Sequence, residues 1–309
     1  MPISAKMIGG LWGAIVGDAL GVPVEFTSRA ARRNDPVTGM RGYGTYEQPP
    51  GTWSDDSSLL LCTVETLCED YVPERLAGRF LAWYSHGYMT PHGTVFDIGN
   101  ATAAALERMR KGTAPEDAGG GDEGDNGNGS LMRILPVALR FTNAPITDML
   151  TMAQRFSALT HRHPRSQMAC GLYCCMAKGL LDGLAPPDAY RYMIEQGEHY
   201  YYAPAFQEES SHFSRLLSGK LADIPEAEIA SSGYVVHTIE AGIWCLLTSA
   251  SYPEAVLKAV NLGEDTDTTG CVAGGLAGIT FGLGGIPAQW IAAIAGKDDI
   301  AVLLKRFAG

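Results

Sequence analysis

Apolar residues along the chain recur mainly at spacings of one, three and four, the signature of one buried helix face. In the first such stretch Met7, Ile8, Leu11, Trp12, Ile15 and Val16 share a side. Gly9, Gly10, Gly13 and Gly17 fall largely on the other, which is therefore almost bare backbone. The same pattern runs through Leu59 to Leu67, Ala101 to Met109, Gln167 to Leu181, Val235 to Leu247, Ala255 to Val260 and Cys271 to Gly282. Alternation at period two is scarce, so the pattern predicts an all-α fold, a single compact multi-helix bundle. Helix starts are marked at Ser54, ahead of two acids and an apolar run, and at Ser251-Tyr252-Pro253-Glu254, which has capping-box spacing with proline near the first turn.

One stretch breaks the pattern. Residues 112–130 are acidic and glycine-rich, which predicts a loop unable to pack a core. Helical patterning of the same kind resumes directly after it, with no internal repeat and no change of composition, so residues 1–309 read as one domain. A hydrophobic content of 46% is ample for a large core. The formal net charge of -11 repels a phosphate backbone, so no nucleic-acid partner is expected and any phosphate bound should belong to a small ligand at a local site.

Seven cysteines, an odd number with no CxxC pair, read as reduced core thiols. The apolar N-terminal stretch is interrupted by glycines and Asp18 and lacks the charged flank and cleavage site of a signal peptide. The later run from Cys271 to Leu283 is too short and glycine-rich to span a bilayer. A cytoplasmic protein without a membrane partner is the expectation.

Two acidic clusters carry the candidate chemistry. Asp55 and Asp56 open a helix expected from about Ser57 to Cys68, and Asp265 and Asp267 precede the apolar run that begins near Cys271. Each cluster taken alone reads first as a helix cap, because carboxylates and hydroxyls accept free N–H groups and complement the helix dipole. Residues two apart on a regular helix point about 200° apart, so Asp265 and Asp267 converge only from irregular backbone, for which Gly263 and Gly270 provide. The acids outnumber what caps need. With the hydroxyls of Ser54, Ser57, Thr266 and Thr268 they form an oxygen-only set suited to Mg²⁺ or Mn²⁺ rather than zinc.

Gly127-Asn128-Gly129-Ser130-Leu131-Met132-Arg133 leads from the loop into Pro136. It reads either as an anion cradle with an arginine to help, or as a turn whose Arg133 pairs with a neighbouring acid. His161 and His163 sit one residue apart but lack a third zinc ligand nearby, so His161 is a candidate hydrogen-bonding group or a helix cap. DEGDNGN resembles the opening of a calcium loop but has no acid at the twelfth place.

Laid side by side, the motifs resemble the ADP-ribosylglycohydrolase family, in particular its dinitrogenase reductase-activating and ADP-ribosylarginine-directed branches. They are GAIVGDALGVPVEF from Gly13, GTWSDDSSL from Gly51, FDIGNAT from Phe96, GNGSLMRILP from Gly127, TH at Thr160, SGYVVHTIEAGIWCL from Ser232 and NLGEDTDTTGCVAGGLAG from Asn261. The order and number of these motifs, over nearly the whole chain, make the match specific. The resemblance implies an all-α bundle with two divalent cations, Mg²⁺ or Mn²⁺, in a central cleft, held by Ser54, Asp55, Asp56, Asp265, Asp267 and Thr268. Glu25 would reach that site directly or through water. Gly127, Asn128, Gly129, Ser130, Met132 and Arg133 would hold the pyrophosphate and distal ribose, with His161 and Tyr234 beside them. Asp97 would face the leaving group and, for an arginine target, pair with its guanidinium.

The implied activity is metal-dependent removal of ADP-ribose from a modified protein or small molecule, with Asp56 or Glu25 as general base and Asp97 assisting departure. An O-linked ADP-ribose substrate and a non-catalytic ADP-ribose binder are the alternatives. The family usually carries a second glycine immediately before the DTDT run. Glu264 stands there in this chain, which adds a charge and a side chain beside the site.

Overall fold

The computed structural model describes residues 1–309, except for the side chain of Ala205. It is built of α-helices joined by loops and 3₁₀ turns, and among the described residues there are isolated β-bridges but no strand. The helices are α1 (Ile3–Gly21), α2 (Arg29–Asn34), α3 (Asp55–Leu67), α4 (Pro73–His86), α5 (Asn100–Arg110), α6 (Leu135–Arg140), α7 (Ile146–Ala158) and α8 (Pro164–Leu181). They continue with α9 (Pro186–Tyr200), α10 (Pro204–Gln207), α11 (Val235–Leu247), α12 (Tyr252–Asn261), α13 (Thr266–Phe281), α14 (Ala288–Ala293) and α15 (Lys297–Ala308). The all-α expectation holds, and helices from both sides of the glycine-rich loop share one hydrophobic core.

At the centre α1 lies antiparallel to α13 along a glycine seam. Gly9, Gly13 and Gly17, four residues apart, face Gly278, Gly274 and Gly270 in turn, and a Cβ at Gly13 or Gly17 would collide with the carbonyl oxygen opposite. Backbone therefore meets backbone, an approach that helices with side chains at these positions do not make. Gly270 thus serves packing inside α13, and the irregularity expected of it belongs to Gly263 (φ 81°) and Glu264 (φ 61°). The seam delivers the end of α1 to the start of α13, where Thr266 Oγ1 donates to Gly21 O at 2.8 Å. Tyr252 Oη, donating to Gly13 O at 2.7 Å, fastens α12 to the same seam.

By length and composition α1 would cross a membrane, but 89% of its most apolar window is buried inside the protein. The seven cysteines are free, six of them buried. The loop at 112–130 is more ordered than its composition predicts. It forms 3₁₀ turns at Pro115–Asp117 and Glu123–Asp125 and buries Ala118 fully. Gly119 and Gly120 account for this, because each lies against the backbone of residues 158–163 where a Cβ would not fit or would strike Asp125.

Candidate metal centre and ligand cavity

α3 begins two residues earlier than expected, so Asp55 and Asp56 occupy its first turn and Ser54 is its cap, accepting from Asp56 N–H at 3.3 Å. The group that sets this turn is Asp18 of α1, fully buried. Its carboxylate accepts from the Ser54 and Ser57 backbone N–H groups at 3.0 Å each, and from the Ser54 hydroxyl at 3.0 Å and the Ser57 hydroxyl at 2.5 Å. Burial pushes its carboxyl up to about 6 against the pull of those four donors. Sequence reading passed over Asp18 as a mere interruption, although an acid inside an otherwise apolar helix face is the signal that would have found it.

The second cluster opens α13, which starts at Thr266, well before the apolar run. Asp265 is the N-cap residue yet makes no cap bond with its side chain. Its Oδ2 accepts from Asn128 Nδ2 at 2.9 Å instead. Asp267 Oδ1 accepts from Thr268 N–H at 2.9 Å, and Thr268 Oγ1 donates to Asp56 Oδ2 at 3.3 Å, which joins the two clusters. Glu25, just past the end of α1, completes a triad with Asp265 and Asp267 whose ligand oxygens lie within 4.8 Å of one another.

This arrangement is self-repelling. Glu25 Oε2, Asp56 Oδ1, Asp265 Oδ1 and Asp267 Oδ2 are buried with no hydrogen-bond partner. Burial, then Asp97 and Asp265, push Glu25 up to about 9. Asp55, Asp56 and Asp267 are all held well above the usual carboxylate range, first by burial and then by neighbouring carboxylates. Two full charges 4.8 Å apart repel by about 3.5 kcal/mol at an effective dielectric constant near 20. Each helix N-terminus returns only ~0.3–1 kcal/mol. Capping accounts for Ser54 and leaves the orphaned oxygens unexplained, and these fit a hard divalent cation as ligands.

Beside the acids lies a cavity of about 430 Å³ with no lysine or arginine in its lining. Of the residues expected at the site, Glu25, Asp55, Asp97, Gly127, Asn128, Gly129, Met132, His161, Asp265 and Thr268 line it. Ser54, Asp56 and Asp267 stand behind that wall within the acidic cluster. Asp97 does not cap α5, whose N-cap is Gly99. Its backbone is held at φ 49°, in the left-handed region, which aims the carboxylate at Glu25 and the Tyr46 phenol. Tyr46 went unnoticed in the sequence, where nothing marks it, and both carboxylates drive its phenol upward after burial does.

Three expected ligand contacts do not face the cavity. Arg133 is fully buried: Nη1 donates to Phe156 O at 3.1 Å, Nη2 to Thr160 Oγ1 at 2.5 Å, and the guanidinium carbon sits 5.0 Å from the Phe80 ring centre. Ser130 is likewise interior, accepting from Ser157 Oγ at 2.9 Å. Tyr234 turns its hydroxyl away to accept from Arg165 at 3.1 Å, and only its backbone touches the cradle, through a bridge to Gly127. Arg133 acts one step removed. Thr160 Oγ1 accepts from it and lies 2.8 Å from His161 Nδ1, which fixes the ring with Nε2 on the side of Gly127 and Gly129. Burial, then Arg133, hold His161 down to about 3, so the ring is neutral. The helix cap at this junction is His163, which accepts from Arg165 N–H at 3.2 Å.

Residues 2–309 match the family model described as ADP-ribosylglycohydrolase. The chain is 31% identical over 300 residues to ADP-ribosylarginine hydrolase Tri1 of Pseudomonas putida (strain GB-1), covering 96% of this chain and 76% of that protein. It is 27% identical over 302 residues to the ADP-ribosyl-[dinitrogen reductase] glycohydrolase of Rhodospirillum rubrum, covering 95% and 92%. A solved structure described as an ADP-ribosylglycohydrolase-related protein complex superposes with a TM-score of 0.82 at 31% identity, over 99% of this chain and 98% of that one.

Proposed function

The chain belongs to the ADP-ribosylglycohydrolase family, and we propose that it hydrolyses the N-glycosidic bond between ADP-ribose and an arginine side chain, releasing ADP-ribose. The observation that carries this reading is the set of four buried carboxylate oxygens without partners in an acidic cluster beside a cavity that Gly127, Gly129 and a neutral His161 also line. Ser54, Asp55, Asp56, Asp265, Asp267 and Thr268 would hold two cations, Mg²⁺ or Mn²⁺. Bound there, the cations supply Lewis-acid polarisation of ribose hydroxyls and of a water.

The chain's own residues do the rest. Gly127 and Gly129 let the ligand approach the backbone, since a Cβ at Gly129 would stand 2.9 Å from His161 Cε1. His161 Nε2–H donates to a phosphate or ribose oxygen. Glu25 lines the cavity, which makes it the group placed to take the water's proton, whereas Asp56 lies behind the wall. Asp97 accepts from the guanidinium of the leaving group in a charge-assisted pair.

Mass spectrometry of an arginine-ADP-ribosylated peptide, incubated with and without Mg²⁺ or Mn²⁺, tests bond, product and metal together. The expected result is metal-dependent loss of one ADP-ribose, abolished by Asp55→Asn. Turnover of serine-linked ADP-ribose alone would overturn the arginine assignment. Binding of ADP-ribose without any hydrolysis would overturn the enzyme.

A further inference from the structure

A buried guanidinium beside the cavity has no part in the chemistry above. Arg165, in the first turn of α8, has a side chain 4% exposed and uses all five of its N–H donors. Nε donates to Glu209 Oε2 at 2.7 Å, Nη1 to Glu123 Oε1 at 2.6 Å and to Tyr234 Oη at 3.1 Å, and Nη2 to Glu123 Oε2 at 3.0 Å and to His212 Nε2 at 2.7 Å. A guanidinium only donates, so the His212 proton rests on Nδ1.

These partners come from three segments. Glu123 belongs to the glycine-rich loop, Glu209 and His212 to the stretch that includes the turn Ser210–Phe213, and Tyr234 to the segment bridged to Gly127. The loop is fastened by backbone at both ends. Gly120 pairs with residues 160, 162 and 163, and residues 126 and 128 pair with 235 and 233. Between those anchors Gly124 lines the cavity, next to Glu123 and in a span also holding Gly121. The turn closes on itself through the Asp122–Asp125 capping box and through Asn126 Nδ2, which donates to Glu123 O at 3.1 Å, and the Glu123 side chain ties that turn across to α8. A fold-stabilising ion pair alone would not need Glu123, whose side chain is 71% exposed and well solvated without a partner.

We propose that Arg165 is a positioning residue that latches Glu123 and Tyr234 with its planar fork and so fixes the wall of Gly124, Gly127 and Gly129 against the phosphate-bearing part of the ligand. The ligand clause rests on the ADP-ribose reading above; the latch itself does not.

Glu123→Ala cuts the latch at its solvated end, where the fold is not at risk, and Arg165→Lys keeps the charge that half-buried Glu209 requires but loses the fork. The measurements are hydrogen exchange over residues 120–126 and calorimetric binding of ADP-ribose with Mn²⁺ present. Both variants should exchange faster there at an unchanged melting temperature for Glu123→Ala. A wall formed about a tenth of the time weakens the apparent Kd about tenfold. In turnover the same variants should raise KM and retain kcat. Unchanged exchange would overturn the latch, and faster exchange with a Kd within twofold of the parent would overturn its part in ligand binding. If the parent protein binds no ADP-ribose, the proposed function falls, and the exchange comparison still decides whether Arg165 holds the loop.

Discussion

Replacing Asp267 by Asn separates the acidic cluster's cost from its use. In the folded protein Oδ1 of Asp267 accepts from Thr268 N–H, while Oδ2 is buried without a partner and lies near Glu25 and Asp265. Asparagine keeps the first bond and turns the second position into a donor facing two carboxylates. At full charge each of the two relieved repulsions amounts to about 3.5 kcal/mol. Burial already raises these carboxyls, so the realised gain is a fraction of that, about 2 kcal/mol.

Urea unfolding in EDTA reads this directly, and at this chain length a thermal scan should show an increase of roughly 3 °C. Mn²⁺ reverses the comparison. At a hundred times its Kd a ligand stabilises the native state by about 2.7 kcal/mol, and a hundredfold weaker site at the same concentration gives about 0.4 kcal/mol. The variant should therefore be the more stable protein in EDTA and lose that lead in Mn²⁺. A variant less stable in EDTA would show that the cluster is not self-repelling, and equal stabilisation of both proteins by Mn²⁺ would remove Asp267 from the ligands.

His161 should make stability pH-dependent with a definite sign. Its folded value, about 3, lies below the unfolded value near 6.5, so its contribution is complete above that value and is lost as pH falls. Between pH 7.5 and 5.5 the parent should lose about 1.4 kcal/mol more than His161→Gln in urea titrations, and parallel curves would refute the neutral buried ring. Gly17→Ala places a methyl against Gly270 O and should destabilise by roughly 2–3 kcal/mol. Gly78→Ala on the exposed face of α4, where a Cβ meets nothing within 4 Å, should stabilise by up to ~1 kcal/mol, and similar effects at both sites would deny the seam. Glu264→Gly removes a side chain from a left-handed residue and should raise stability by about 0.5–1 kcal/mol in the same assay, with a loss counting against strain there.

Helices α1, α3, α5, α8, α11, α12 and α13 were legible because their cause is local, apolar residues at helical period, whereas α4, α7, α9 and α15 were not singled out in the sequence. The bare glycine face of α1 was legible too, but its partner was not, since Gly270, Gly274 and Gly278 announce themselves only once α13 is laid beside it. At the site the two acidic clusters could be named as a pair, whereas the residues behind them depend on contacts far apart in sequence. Asp18 holds Ser54 and Ser57 from another helix, and Arg165 reaches Glu123, Glu209 and Tyr234 at once. Arg133 could not be placed from the sequence for the same reason. Its place after a glycine-rich loop fits an anion cradle, and only the packed structure shows the guanidinium against Phe80 with its donors turned to Phe156 and Thr160.

The seam and the acidic cluster also explain each other. Carboxylates that repel by a few kcal/mol per pair stay together only where the backbone is fixed by something stronger. Here α1 buries most of its length and meets α13 backbone to backbone, so Gly21 abuts Asp267 with no side chain between that could yield. Glu25 follows four residues later with little freedom to leave. A seam of ordinary side chains would let the two helix ends part and relieve the repulsion, whereas the glycines remove that escape and keep the oxygens converged before any cation arrives. The strained positions at Phe26, Asp97 and Glu264 fit the same account, since left-handed backbone persists where surrounding structure over-determines it. Stability invested in the central helix pair is thus what permits a destabilising set of acids at its end, and easing either should loosen the hold of the other.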